Sequence, residues 1–263
     1  EQKNDRSRML LSASSMDDLF ELADIAEDMD LKEIYLHTDT WRGEYWPSKR
    51  GFLTVNPKVF PKGEEDFQRF SDYLKKKDIG IAIHTVSCSI ANHDPDYSEP
   101  KPDRRFAKWI SGTLAQPISA TDTTIYFQPP EGAELPMNLT RAVTGPEHVD
   151  SWNNYKSIRI GDEFMGVGEF TDTDKPIWVL EKVWRNKAKA TDHEQGEAVV
   201  GLIRPYNKVY TAGANTDMME EVARRYAEFC NRNGVTHCEQ DAGEIHCSEP
   251  VSYTHLRAHE TDS

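Results

Sequence analysis

The densest collection of reactive side chains lies near the C-terminus, where His237-Cys238-Glu239-Gln240-Asp241 is followed by Glu244, His246 and Cys247. In an extended strand the alternation of side chains puts His237, Glu239 and Asp241 on one face. A carboxylate at the rim of such a face can attack an anomeric carbon, which makes Asp241 the candidate nucleophile. The same residues admit a rival chemistry, with His237, Glu239, Asp241 and His246 as metal ligands. Their spacing matches neither a helical His-Glu-x-x-His nor paired Cys-x-x-Cys ligands, so no metal or other cofactor is expected. The plainest reading is a solvated loop after a strand.

Two further groups sit at the ends of apolar runs. His37-Thr38-Asp39-Thr40-Trp41 leads into Glu44, Tyr45 and Trp46. Aromatic rings stack on the C–H faces of a sugar while carboxylates bind its hydroxyls, so Asp39, Trp41 and Trp46 are candidate substrate contacts. Alternatively the aromatics simply plug a loop. His84 ends a second run, followed by Ser87, Cys88, His93, Asp94 and Asp96. It is either a donor to a substrate hydroxyl or a hydrogen-bonded core histidine. Ser87 and Cys88 lack the elbow context of a nucleophile. Glu239 and Glu244 complete the substrate-binding candidates. Arg185, His193, Glu194 and Glu197, scattered through turns, read as structural or surface groups.

These groups need a scaffold, and the hydrophobic periodicity supplies one. Residues 9–13 and 33–37 read as buried strands, separated by a helix over 16–29 with Ser15 as its cap and Leu19, Leu22, Ala23 and Ala26 at helical spacing. A second helix over 64–77, with Phe67, Phe70 and Leu74 on one face, leads to a strand over 79–84. Strand–helix–strand–helix–strand implies a parallel sheet. After a Pro/Asp-rich loop over 92–103 and a short amphipathic piece at 106–110, the period becomes strand-like. Short β-runs at 123–127, 157–160, 163–170, 177–184 and 198–203 predict a compact all-β module over 111–204. The helical period returns at 216–233, with Met219, Val222, Ala223, Tyr226 and Phe229 as its stripe and Gly234 as its stop. A strand over 235–240 follows.

The predicted fold class is therefore α/β: a partial (β/α)8 TIM barrel of about four βα units, with the all-β module inserted. Residues 1–110 and 205–250 form the barrel part and 111–204 the insert. About 155 residues outside the insert are too few for eight units, which need roughly 250. Barrel enzymes carry their chemistry at the C-terminal ends of strands, where all three candidate groups fall.

Charge and hydropathy exclude several classes of function. The chain has 263 residues with 31 Lys and Arg against 45 Asp and Glu, a net charge of −14 that disfavours nucleic acid or an anionic membrane surface as partner. No run approaches the length of a membrane span, and the first residues carry no export signal. Mean hydropathy is −0.71, low for a complete barrel but consistent with a folded part of one. Four cysteines form no disulfide framework. Residues 251–261 match the translation of a sequencing-library adapter, so 251–263 are expected to lie outside the fold and the natural chain to continue past Glu249.

Several motifs together resemble the α-galactosidase-like clan of retaining glycoside hydrolases. Ile34-Tyr35-Leu36-His37-Thr38-Asp39-Thr40-Trp41 is similar to its Asp-x-Gly-Trp stretch. Gly51 to Asn56, Phe60-Pro61-Lys62-Gly63 and Gly80 to His84 follow in the clan's order, and His93 to Tyr97 looks like its His-Pro-Asp-Trp segment. Three positions depart: Thr38 replaces an acid, Glu239 stands where the clan has the lysine of Lys-x-Asp, and His84 replaces an aromatic or aliphatic residue. The resemblance implies an oligo- or polysaccharide substrate and an extracytoplasmic location. It also implies Asp241 as nucleophile, an acid/base carboxylate from beyond residue 249, and a sugar subsite shaped by Asp39, Trp41, Trp46 and His84. Two other functions fit the residues: a non-catalytic carbohydrate-binding barrel, or a polysaccharide lyase or metal-dependent enzyme using the 237–246 cluster.

Overall fold

The computed structural model describes residues 7–42, 51, 53–86, 89–135, 156–204, 209–214 and 216–241, except the side chains of Leu10, Leu11, Ser89, Gln240 and Asp241. The first elements are β1 (Arg8–Leu11), α1 (Met16–Asp28), β2 (Glu33–Leu36), α2 (Thr38–Trp41), α3 (Glu64–Lys76), β3 (Gly80–Val86) and β4 (Ser89–Ala91). Strands β5 (Lys108–Leu114), β6 (Ile125–Gln128), β7 (Ser157–Ile160) and β8 (Glu163–Gly166) follow. After them come β9 (Glu169–Thr171), β10 (Trp178–Glu181), β11 (Trp184–Arg185), β12 (Ala198–Leu202) and β13 (Val209–Thr211). The chain closes on α4 (Asp217–Asn233) and β14 (His237–Asp241). It divides into two compact units, one of Glu1–Asp94 with Met219–Glu244, the other of Pro95–Met218 with Ile245–Ser263.

The first unit is a four-stranded parallel sheet in the order β1-β2-β3-β14. Each strand returns through a helix, as parallel pairing requires. Ile34, Leu36, Ile81 and Ile83 point to one face and are buried against Leu19 and Ala23 of α1, Phe67, Phe70 and Leu74 of α3, and Phe229 of α4. The period predicted the stripe of α4 in outline. Met218, Val222, Tyr226 and Phe229 are its buried apolar residues, while Ala223 is exposed and Met219 half-buried. Ser15 caps α1 as expected: its hydroxyl accepts from the Asp18 amide at 3.1 Å, while Asp18 accepts from the Ser14 amide and hydroxyl. Those two bonds from Ser14, followed by the hydroxyl of Ser15, bring the Asp18 carboxyl down to about 2.

The Phe60–Gly63 motif proves to be the start of α3. Gly63 has φ +67 and ψ −134, a conformation only glycine adopts readily. The Lys62 amide donates to Asp66 at 2.8 Å, and Phe60 is buried on Phe67 with ring centroids 5.0 Å apart. At the other end of the unit, Gly234 stops α4 at φ +66, with the Val235 amide donating to the Cys230 carbonyl at 2.9 Å. A Cβ there would lie 2.4 Å from the Ser71 hydroxyl. Gly234→Ala is expected to cost about 2 kcal/mol, from left-handed strain and that collision. Urea titration checks it, and a loss within about 0.5 kcal/mol would show that the turn relaxes freely.

The second unit holds an eight-stranded antiparallel sheet in the order β11-β8-β7-β12-β5-β6-β10-β9. Leu114, Ile125, Phe127, Ile158, Ile160, Trp178, Leu180 and Val199 form its core. Its first strand begins at Lys108, before the expected edge at residue 111, so the piece at 106–110 is mostly strand. The run over 163–170 is broken after Gly166. The run over 177–184 is broken at Lys182, which takes φ +54. Trp46, Glu244, His246 and residues 251–263 lie outside the described residues.

Candidate functional site

The face of the parallel sheet turned away from the helices is polar. In register, β1, β2 and β3 align Arg8 with Glu33 and Glu33 with Gly80, and β14 pairs His237 with Ala82, Glu239 with His84 and Asp241 with Val86. Alternation therefore brings Arg8, Glu33, Tyr35, His84, His237 and Glu239 to one side. Arg8 organises them. Its Nη1 donates to Glu239 Oε2 at 2.6 Å, its Nε pairs with Glu33 Oε2 at 3.1 Å, and its Nη2 lies 3.5 Å from His237 Nδ1. The guanidinium also sits 5.5 Å from the centre of the Tyr35 ring.

This arrangement bears on the metal reading of the 237–246 cluster. Arg8 places a cation between Glu33 and the pair Glu239 and His237, two of the four ligands of that reading, while the Asp241 side chain and His246 lie outside the described residues. Glu239 is thus engaged by Arg8 across the sheet. Glu239 and His237 of that network stand among the sequence candidates, as does His84 on the same face, whereas Arg8, Glu33 and Tyr35 do not. The signal for the rest was available, because Glu33, Tyr35 and His37 alternate with Ile34 and Leu36.

Above this network, α2 turns the chain at the end of β2. Asn56 holds the turn, its Nδ2 donating to the Asp39 carbonyl at 3.0 Å and its amide to the Trp41 carbonyl at 2.8 Å; the Ala13 amide donates to Thr40 Oγ1 at 3.0 Å. The turn leaves the Asp39 side chain 57 % exposed, with Oδ2 3.4 Å from His37 Nδ1. His37 stacks on His84 with centroids 5.0 Å apart, and His84 Nδ1 is hydrogen-bonded to Thr38 Oγ1 at 2.6 Å. Thr38, which replaces an acid of the resembled motif, therefore holds the ring of His84, which replaces a nonpolar residue.

Trp41 requires a correction. Its indole is fully buried, its Nε1–H donates to the His84 carbonyl at 2.7 Å, and its ring lies 5.5 Å from Phe229. A ring without an exposed face cannot carry a sugar, so Trp41 is a core wedge that locks α2 onto β3. His84 is itself buried, and its polar contacts are those of a supported histidine at the rim. Asp241 ends β14, and its side chain lies outside the described residues. Three residues before it, on the helix side, Cys238 takes a hydrogen bond from the Cys230 thiol, which favours the Cys238 thiolate and pushes the Cys230 thiol upward.

No family model matches the sequence, and no curated protein is detectably similar to it. Solved structures are similar in fold. Sucrose 6F-phosphate phosphorylase from Thermoanaerobacter thermosaccharolyticum aligns with a TM-score of 0.52 and 10% identity, over 99% of this chain and 46% of its own. An isomaltulose synthase mutant from Erwinia rhapontici NX5, in complex with its natural substrate sucrose, aligns at 0.50 and 10% identity, over 98% and 42%. The chain thus spans less than half the length of either. At 10% identity the likeness is one of fold alone, in line with part of a TIM barrel, and it does not single out the α-galactosidase-like clan. Among the described residues no helix is long and apolar enough to cross a membrane.

Proposed function

We propose that the parallel unit is part of a (β/α)8 barrel of a retaining carbohydrate-active enzyme. Its sugar subsite lies at the strand ends occupied by Asp39, His84, Glu239 and Asp241. The observation that carries this reading is the polar face itself: a sequential parallel sheet, helices on one side, and an ordered acid–base network on the other, rising to those ends. The likeness to sucrose-processing barrels supports the same class of fold.

Asp241 is the nucleophile in this reading. Its position on β14 follows Glu239 by two residues, on the same side of the ladder, where a barrel strand delivers a side chain to the mouth. Arg8 draws Glu239 downward and leaves the next inward position to meet the anomeric carbon. The attack forms a glycosyl ester on Asp241 and releases the aglycone; water then hydrolyses the ester. The second carboxyl that protonates the leaving group must stand about 5–5.5 Å from the first. It comes from a barrel strand outside the four-stranded sheet, because Glu244 follows Asp241 by only three residues in sequence. The exposed Asp39 carboxylate accepts from sugar hydroxyls. The clan, the sugar and the linkage follow from side chains on the remaining strands.

The test uses the full-length protein and an activated aryl glycoside. Asp241→Asn is expected to lower turnover on the order of 10^3-fold or more, and a 2-deoxy-2-fluoroglycosyl fluoride to label the peptide containing Asp241. Unchanged turnover, or a label on another carboxylate, would remove Asp241 from the reaction. Glycan binding without turnover in the wild type would move the site from catalysis to recognition.

A further inference from the structure

We infer that the β unit carries a saccharide-binding groove of its own, built around Trp184. The groove has a volume of about 690 Å³ and is lined by Thr121, Asp122 and Thr123 on one wall and by Trp184, Asn186 and Lys187 on the other. That volume lies within the range of about 300–1,000 Å³ usual for small-molecule sites. Trp184 is 66% exposed, whereas Trp41 and Trp178 are buried and Trp109 is half-buried. An indole left open at the edge of a sheet, inside a concave surface, offers its ring to an occupant.

The chemistry of the rim selects that occupant. Asp122 uses Oδ2 to accept from the Ser119 amide at 2.7 Å, and Asn186 uses Oδ1 to accept from the Ala188 amide at 3.1 Å. The second carboxylate oxygen of Asp122 and the side-chain NH2 of Asn186 are thereby fixed in place by the backbone without being consumed by it. Lys187 and the Thr123 hydroxyl add a further cation and a hydroxyl. One acid, one base, an amide and a hydroxyl around an open indole match a neutral pyranose, which offers C–H faces to the ring and vicinal hydroxyls to the rim. A phosphate-bearing ligand would meet one lysine beside an aspartate, with Arg185 already paired to Glu163, in a chain of net charge −14.

The groove is also preorganised. The guanidinium of Arg185 beneath it donates to the Ser119 carbonyl and, at 2.6 Å, to the Thr191 carbonyl, so one buried side chain ties the two walls together. The Ala120 amide donates to Asp192 Oδ1 at 2.7 Å, a second tie between the same loops. A rigid rim avoids the ordering cost that a flexible loop would incur on binding.

The full chain titrated with maltoheptaose, cellohexaose and mannohexaose, followed by tryptophan fluorescence and calorimetry, tests the inference. At least one probe is expected to bind at millimolar concentration or below. Trp184→Ala should weaken it about tenfold or more, with an unchanged circular dichroism spectrum, and Asn186→Ala should weaken it severalfold. No binding of any probe by the wild type would overturn the inference, as would binding that survives Trp184→Ala. A shift from dimer to monomer on Trp184→Ala without any sugar binding would also overturn it, identifying a self-association surface instead.

Discussion

Replacing Arg185 by methionine is expected to destabilise the β unit by about 3–5 kcal/mol. The Arg185 and Glu163 side chains are 5% and 3% exposed, and they are joined twice, Nε to Oε1 at 2.8 Å and Nη2 to Oε2 at 2.6 Å. His193 Nε2 lies 3.1 Å from the same carboxylate, and the Thr191 amide donates to it at 3.3 Å. Removing the guanidinium leaves a buried carboxylate facing one histidine and two unsatisfied backbone carbonyls, of Ser119 and Thr191. The double change Arg185→Met with Glu163→Leu should recover most of the loss, since neither charge is then buried alone. Guanidinium titrations of the three variants decide the matter. A single variant within about 1 kcal/mol of wild type would mean that water reaches Glu163 and the pair contributes little.

The same cluster sets an acid limit. Burial alone would raise the Glu163 pKa, but the hydrogen bonds from Arg185 and His193 outweigh it and hold the carboxyl below the usual glutamate value. A carboxylate depressed in the folded state contributes stability that is fully present above its unfolded pKa. That stability is lost as pH falls through the folded one. The β unit should therefore lose stability across and below the ordinary glutamate range, and Glu163→Gln should flatten that part of the profile.

Trp41→Ala is the second large effect, expected at about 3–5 kcal/mol in the parallel unit. The indole fills the space between α2, α4 and β3, so truncation opens a cavity against Phe229 and frees the His84 carbonyl. Trp41→Phe keeps most of the volume and loses the N–H bond, so about 1–2 kcal/mol is expected. Thermal unfolding of the two variants measures both. The opposite pattern, unchanged stability with lost sugar affinity, would return Trp41 to the role of an exposed platform.

The motifs behind the family resemblance now have physical readings. Phe60 to Gly63 starts a helix, Asn56 braces the turn that carries Asp39, and Trp41 pins that turn to β3. Each is a device for building a βα unit, which explains how the sequence can point to a barrel enzyme while leaving its clan open. Thr38 and His84, two of the three departures, hydrogen-bond to each other at 2.6 Å and form one rim contact.

Local sequence was sufficient for the four strands of the parallel sheet and for α1, α3 and α4, though not for the short α2. Apolar spacing, the Ser15 cap and Gly234 act within a turn or two of the chain, where the physical cause and the residue pattern lie side by side. The alternation of β14 likewise showed that His237 and Glu239 share a face. Tertiary structure alone decided what they touch. Arg8 reaches Glu239 across 231 residues, and Trp41 turns inward because Asn56 and Phe229 hold it there. Arg185 and His193, which looked like scattered turn residues, converge with Glu163 of a β-run into one buried network, while Trp184 beside them stays open. Burial and ion pairing depend on which segments meet, and that is a property of the whole packed chain that spacing along it does not encode.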